Sequence, residues 1–267
     1  MKKIFLLLAL CATVFVACSD DDEKDNENKD EEIETTPWEI KMTVNIERNE
    51  TEFKFEIEGI ESTDWGDASS TSTNKSSHYY NTGSYTIIVK GKSKENQEVK
   101  FKCDGNTNKY RLTSLDVTKC TALTTLECNN NALNSLDVTK CINLTELYCG
   151  ENNLTSLDVT KCINLFLLRC DNNKLTTLDI TKCIKLGGLN CDNNQLSLLD
   201  ISKCVDLVEI AYENNNFNED AMNTIYNGLP DRGSKEAGII FTSDMNNIKG
   251  NTSIARNKNW KFEVLNN

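Results

Sequence analysis

Between Leu112 and Asn216 a 21-residue unit is written five times with no insertion or deletion. LTSLDVTKCTALTTLECNNNA is followed by LNSLDVTKCINLTELYCGENN, LTSLDVTKCINLFLLRCDNNK, LTTLDITKCIKLGGLNCDNNQ and LSLLDISKCVDLVEIAYENNN, opened in turn by Leu112, Leu133, Leu154, Leu175 and Leu196. A unit this short cannot bury its own apolar face. Copies in exact phase solve that problem by stacking, each covering its neighbour. The fold of this region is therefore constrained to a one-dimensional stack of coils before any other residue is considered.

The inner half of each unit reads L-x-x-L-x-C-x-x-N-x-L, as in Leu123, Leu126, Cys128, Asn131 and Leu133. This pattern and its period resemble those of the leucine-rich repeats, with cysteine in the third apolar slot. The resemblance implies an α/β-type leucine-rich-repeat solenoid over residues 99–217, with short parallel strands and mostly non-helical convex turns. Strands are expected at Leu123–Cys128, Leu144–Cys149, Leu165–Cys170, Leu186–Cys191 and Leu207–Tyr212, with Val99–Cys103 as a degenerate first coil. The resemblance gives Asn131, Asn152, Asn173, Asn194 and Asn215 the task of satisfying turn amides. Asp116, Asp137, Asp158, Asp179 and Asp200 each precede Thr or Ser by two residues, a pairing suited to capping a turn. A calcium row is the alternative for these aspartates, but the glycine- and aspartate-rich nonapeptide it requires is absent from the units.

Ten cysteines fall in two columns, Cys120, Cys141, Cys162, Cys183 and Cys204, and Cys103, Cys128, Cys149, Cys170 and Cys191. No C-x-x-C occurs, so the spacing does not suit a metal. Neighbours in a column would stand about 4.8 Å apart, within disulfide range, but with parallel Cβ vectors. Small buried core residues with free thiols are favoured over a disulfide framework, although export would permit oxidation.

Strand alternation sends Thr125, Glu127, Asn129, Glu146, Tyr148, Gly150, Leu167, Arg169, Asp171, Gly188, Asn190, Asp192, Glu209, Ala211 and Glu213 away from the core. These positions vary from coil to coil while the core positions repeat. Glu127, Glu146, Tyr148, Leu167, Arg169, Asp171 and Asn190 are the candidate partner-binding residues, because extended concave faces are what solenoids use for recognition. A merely solvated sheet face is the alternative.

Two segments precede the repeats. Lys2 and Lys3 lead an apolar run, Ile4 to Ala17, which reads as a secretory signal over residues 1–17. Its end, Phe15-Val16-Ala17-Cys18, resembles a bacterial lipobox and makes Cys18 the expected lipidation site and membrane anchor. Residues 18–36 read as a tether: positions 20–36 carry ten acids against two lysines. An acidic stretch directly after the cysteine resembles the surface-export signal of Bacteroidota lipoproteins, which implies the outer face of the outer membrane. Over residues 37–98 the period changes to two, as in Ile40, Met42, Val44 and Ile46, the mark of half-buried strands. The series Trp65-Gly66-Asp67, His78-Tyr79-Tyr80 and Gly83-Ser84-Tyr85 resembles polycystic-kidney-disease-type β-sandwich modules, which implies a spacer or contact domain.

After the repeats, residues 218–267 are expected to form an α+β cap. A helix Glu219–Asn227 is capped by Asn218, followed by strands at Gly238–Phe241 and Trp260–Val264 with a helical turn, Ser253–Arg256, between them. The net charge of −12 argues against a nucleic-acid partner. His78 is the single histidine, so the usual inventory for general-base or metal chemistry is nearly empty. A hydrolase built on Asp67 and His78 is the weakest reading, and neither cofactor nor metal is expected. The expectation is a non-catalytic surface-binding lipoprotein of the Bacteroidota leucine-rich-repeat type, recognising a protein or glycan. The alternative, a glycan-capture accessory of a polysaccharide-uptake system, ranks lower: Tyr148 is the sole aromatic among the fifteen outward positions, and sugar sites use aromatic platforms.

Overall fold

The computed structural model describes residues 35–68, 75–94, 97–106, 108–245 and 248–264. The signal segment, Cys18 and the acidic run through residue 34 lie outside the described residues. The first strand already begins at Thr35, two residues before the expected start of the domain, because Thr35 and Thr36 pair with Lys94 and Ser93.

Strand alternation builds the first unit. Strand β1 (Thr35–Ile46) buries Trp38, Ile40, Met42, Val44 and Ile46 on one face. It is followed by β2 (Thr51–Lys54), β3 (Ile60–Asp64), β4 (Ser77–Tyr80) and β5 (Gly83–Lys94). β1 and β5 pair antiparallel over their full length, β3 borders β5, and β2 pairs with β4 in a small second sheet. Phe53, Phe55, Trp65 and Tyr80 form an aromatic cluster in this unit. The Tyr80 hydroxyl donates to the Trp65 carbonyl at 2.6 Å, so its one polar atom is satisfied. His78 belongs to this cluster: its ring stacks on Trp65 at 5.1 Å and its Nε2 meets Asp67 Oδ2 at 2.7 Å.

The chain then crosses the expected border at residue 98 and crosses back. Strand β6 (Val99–Lys102) joins the solenoid sheet, whereas β7 (Tyr110–Asp116) returns to pair antiparallel with β1, giving the order β3-β5-β1-β7. The opening LTSLD of the first repeat is thus a strand of the N-terminal sheet, while Leu112 and Leu115 still enter the common core. Glu56 closes the free edge of β6 through two backbone bonds to Lys102, at 2.8 and 2.9 Å. Lys119 of the first repeat reaches Glu39 on β1 at 2.7 Å. One continuous hydrophobic core runs through both units.

The solenoid strands are β8 (Leu123–Glu127), β9 (Glu146–Tyr148), β10 (Leu167–Arg169), β11 (Gly188–Asn190) and β12 (Glu209–Ala211), all parallel and in register. From β9 onward three residues are regular strand, fewer than the six expected. The chain enters each strand from a turn, as where Leu144 N–H bonds the Cys141 carbonyl. It leaves through a left-handed residue: Asn130, Glu151, Asn172, Asn193 or Asn214, with φ between 52° and 57°. Beneath the strands Leu126, Leu147, Leu168, Leu189 and Ile210 stack fully buried.

The C-terminal segment extends this sheet instead of ending it. Helix α1 (Glu219–Gly228), capped by the Asn218 side chain, buries Ala221, Met222, Ile225 and Tyr226. Strand β13 (Gly238–Thr242), helix α2 (Thr252–Asn257) and strand β14 (Trp260–Val264) follow. β13 and β14 add in parallel, so the order from β14 to β6 makes eight strands. The architecture is a leucine-rich-repeat solenoid with antiparallel sheets at its N-terminal end.

Candidate functional site

The face of the parallel sheet that points away from the core carries three rows of side chains. The first runs Thr125, Glu146, Leu167, Gly188, Glu209 and Ile239; the second runs Glu127, Tyr148, Arg169, Asn190, Ala211 and Phe241. Leu167, Ala211 and Phe241 are buried yet belong to no part of the core, which places them on the outer, concave face. The third row starts where the strands end, at Asn129, Gly150, Asp171, Asp192 and Glu213.

Four of the seven expected partner-binding residues form one accessible polar group. Tyr148 donates its hydroxyl to Glu146 Oε2 at 3.0 Å, and burial together with that carboxylate raises its pKa. Glu127 pairs with Lys102 at 2.9 Å, and Arg169 Nε lies 3.8 Å from Asp171 Oδ1. All four are partly exposed. The other three, Leu167, Asp171 and Asn190, project onto this face but are covered, each at 4% exposure. Alternation fixes the direction of a side chain and says nothing of its neighbours. Asp171 lies over Gly150, where an added Cβ would stand 2.9 Å from its Oδ1. Asn190 is held by the Asp192 amide at 3.0 Å.

Two carboxyls that matter electrostatically, Glu209 and Asp192, were not among those seven. Burial pushes Asp192 up to about 7; Glu213 and Asp171 add to this and the Glu213 amide opposes it. Burial likewise pushes Glu209 up to about 7, with Glu263 adding to it. Glu209 is 5% exposed, and its Oε2 has no hydrogen-bond partner. The sequence signal for it was Gly188 one coil earlier, which removes the side chain in register beside it.

The stacking apparatus accounts for the other conspicuous residues. Each ladder asparagine is saturated: Asn173 Oδ1 accepts from Leu154 N–H at 2.9 Å, and its Nδ2 donates to the carbonyls of Cys149, Cys170 and Asp171. Asp158 Oδ1 accepts from the Thr160 amide and hydroxyl, which lowers its pKa, and the same turn recurs at Asp116, Asp137 and Asp179. The ten solenoid cysteines are free and buried. Cys141, Cys162, Cys183 and Cys204 donate to carbonyls of the preceding coil at 3.7–3.9 Å. Among the described residues no group of three or more His, Cys, Asp and Glu is arranged to hold a metal ion.

Two other surfaces compete for attention. A cleft of about 180 Å³ between the last coil and the C-terminal segment is lined by Tyr212, Glu213, Phe241, Lys249 and Phe262. Its charged groups are already engaged, Glu213 by the Ser243 amide and Lys249 by the Phe217 carbonyl. On the convex side Ile142, Ile163 and Ile184 are 53–54% exposed in one row with Val205.

No protein-family model and no curated protein matches the sequence. Among solved structures the chain is similar to the functional domain of InlJ from Listeria monocytogenes, described as including a cysteine ladder, at 28% identity and TM-score 0.47 over 59% of this chain and 33% of that one. It is similar to a leucine-rich-repeat protein of Leptospira interrogans at 28% identity and TM-score 0.41, covering 42% of this chain and 31% of that one. It is also similar to the internalin InlF of Listeria monocytogenes at 23% identity and TM-score 0.36, covering 38% and 32%. The chain spans about a third of the length of each of these structures.

Proposed function

We propose that this chain is a non-catalytic recognition protein that engages a protein partner through the concave face of its solenoid. Cys18 is lipidated and the acidic run after it carries the folded part on the outer face of a bacterial outer membrane. One observation carries the reading. From coil to coil the buried leucine, cysteine and asparagine positions repeat, while Glu127, Tyr148, Arg169 and Asn190 occupy one row and differ in every coil. Packing alone gives no reason for that contrast, whereas recognition does. Tyrosine and arginine side by side have the chemistry of interface hot spots. His78 and Asp67 are accounted for by the aromatic cluster, so they lend no support to a hydrolase.

The test is capture of the full chain on one panel of extracellular-matrix proteins and glycans. Capture by a protein is the expected outcome. Capture by glycans alone would replace this reading with a glycan accessory, and capture by neither would remove the adhesive role. Anchoring is checked separately: globomycin should leave an unprocessed precursor, and normal processing in its presence would dismiss the lipid on Cys18.

A further inference from the structure

The parallel sheet has two edges, and the molecule closes only one of them. At β6 the Glu56 backbone exchanges two hydrogen bonds with Lys102, and Phe101 of that strand is fully buried. The other edge is β14, and among the described residues no strand pairs with its far side. It is less covered: Phe262, the phenylalanine that this strand sends into the core, is 9% exposed, and Val264 is 43% exposed. The Gly238 amide donates to the Asn259 carbonyl, and the alternation of parallel pairing then commits the backbone of Lys261 and Glu263 to β13. The amides and carbonyls of Trp260, Phe262 and Val264 point the other way. Among the described residues no hydrogen bond meets them from that side. Such an edge is a template for a further strand.

The side chains select the strand that fits. Trp260 and Phe262 enter the core, while Lys261 and Glu263 are exposed on the concave face. Their neighbours in register are Ile239 and Phe241, so β13 offers neither of them an opposite charge. An antiparallel copy of the same strand, centred on Phe262, supplies both. Trp260 then lies opposite the partner's Val264, Phe262 opposite the partner's Phe262, and Lys261 opposite the partner's Glu263. The phase of the hydrogen bonds agrees with this register. The apolar pairs are the ones whose amides and carbonyls are free, so they exchange main-chain bonds. Lys261 and Glu263 fall in the intervening pairs, where Cα atoms stand about 4.5 Å apart and side chains are closest. A copy centred one residue to either side sets lysine against lysine or glutamate against glutamate, and it requires backbone groups already given to β13.

We propose that β14 is an interface for a second copy of this chain, paired antiparallel about a twofold axis at Phe262. Two eight-stranded sheets become one, and the two concave faces lie side by side. The contact is isologous and therefore closes at two copies. Glu56 keeps the opposite edge from extending it. One strand of five residues from each copy makes a small interface, so the dimer is reversible, with a Kd of about 50 µM. This inference stands whatever the concave face recognises.

The test is sedimentation velocity of the full chain at concentrations from about 1 to about 200 µM, where a monomer–dimer equilibrium is expected. Lys261→Glu alone and Glu263→Lys alone should each weaken the dimer at least about tenfold, because the twofold axis makes every substitution count twice. An equimolar mixture of the two variants should recover it, since the mixed pair again sets opposite charges face to face. The double exchange Lys261→Glu/Glu263→Lys in one chain should recover it as well. At about 1 µM the single variants should melt within about 2 °C of wild type, which separates a lost contact from a lost fold. Where a substitution does lower Tm, recovery in the mixture still reports the paired charges. Wild type that stays monomeric at the highest concentration would overturn the proposal and leave the edge to a strand of another protein. Assembly beyond the dimer, association undiminished in Lys261→Glu, or a mixture of variants that stays monomeric would each overturn it too.

Discussion

At the scale of single residues, this protein is governed by whether a buried polar atom has a partner. Asn173 has four, so Asn173→Ala would strand the Leu154 amide and leave the Cys149, Cys170 and Asp171 carbonyls with one donor each, from Asn152, Asn194 and the Glu151 amide. The expected loss is about 2 kcal/mol in urea unfolding, well above that for an exposed asparagine such as Asn134. For the thiols burial is the largest influence. It pushes Cys120, Cys141, Cys183 and Cys204 up to about 12 and Cys162 up to about 11, so thiolate is scarce at neutral pH. The solenoid cysteines should ignore Ellman's reagent in the native protein and react as a group once it is unfolded; rapid native reaction would contradict their placement. Glu209 and Asp192 set the pH dependence above 4. Their folded values, about 7, exceed the ordinary carboxylate range, so between about pH 4.5 and 7 the native state holds more protons than the unfolded state. Stability is therefore highest near pH 5, falls as pH rises to 7, is level to about pH 8 and falls again as the thiols of the unfolded chain ionise. Melting curves at pH 5 and pH 8 check this, and the double variant Glu209→Gln/Asp192→Asn should flatten the difference.

At the scale of elements, local chemistry decides where each begins. The Asn218 Oδ1 accepts from Ala221 N–H at 2.8 Å, and Asn218→Ala should cost about 1 kcal/mol, read by chemical denaturation. That cap, helix α1, the two C-terminal strands and the position of every coil were legible in the sequence, because each rests on a short-range signal. Other features depended on distant partners and were not. LTSLD is identical at Leu112–Asp116 and Leu154–Asp158, yet only the first copy is a strand, since only it meets the edge of β1. Likewise, alternation directed Leu167, Asp171 and Asn190 to the concave face, but their burial depends on neighbours one coil away, among them Gly150. Glu209 was visible as an outward acid. Its isolation was not, because that depends on the absence of a donor in three dimensions.

At the scale of the molecule, the N-terminal sheets and the solenoid are one body by construction. β6 and β7 belong to different sheets although they are consecutive in the chain, and Lys119 and Glu56 tie the two units across their join. The full chain should unfold in a single calorimetric transition, and two separated transitions would contradict the shared core. This continuity gives the concave face its rigidity, since eight parallel strands anchored at one end hold Tyr148 and Arg169 at a fixed spacing. The claim that this face is the recognition surface is tested most directly by the affinity of the tightest-binding panel protein for the wild-type chain and for Tyr148→Ala/Arg169→Ala. The account predicts a loss of at least about tenfold with Tm little changed. Equal affinity for the two would contradict it and move recognition to the exposed isoleucine row of the convex side or to the N-terminal sheets.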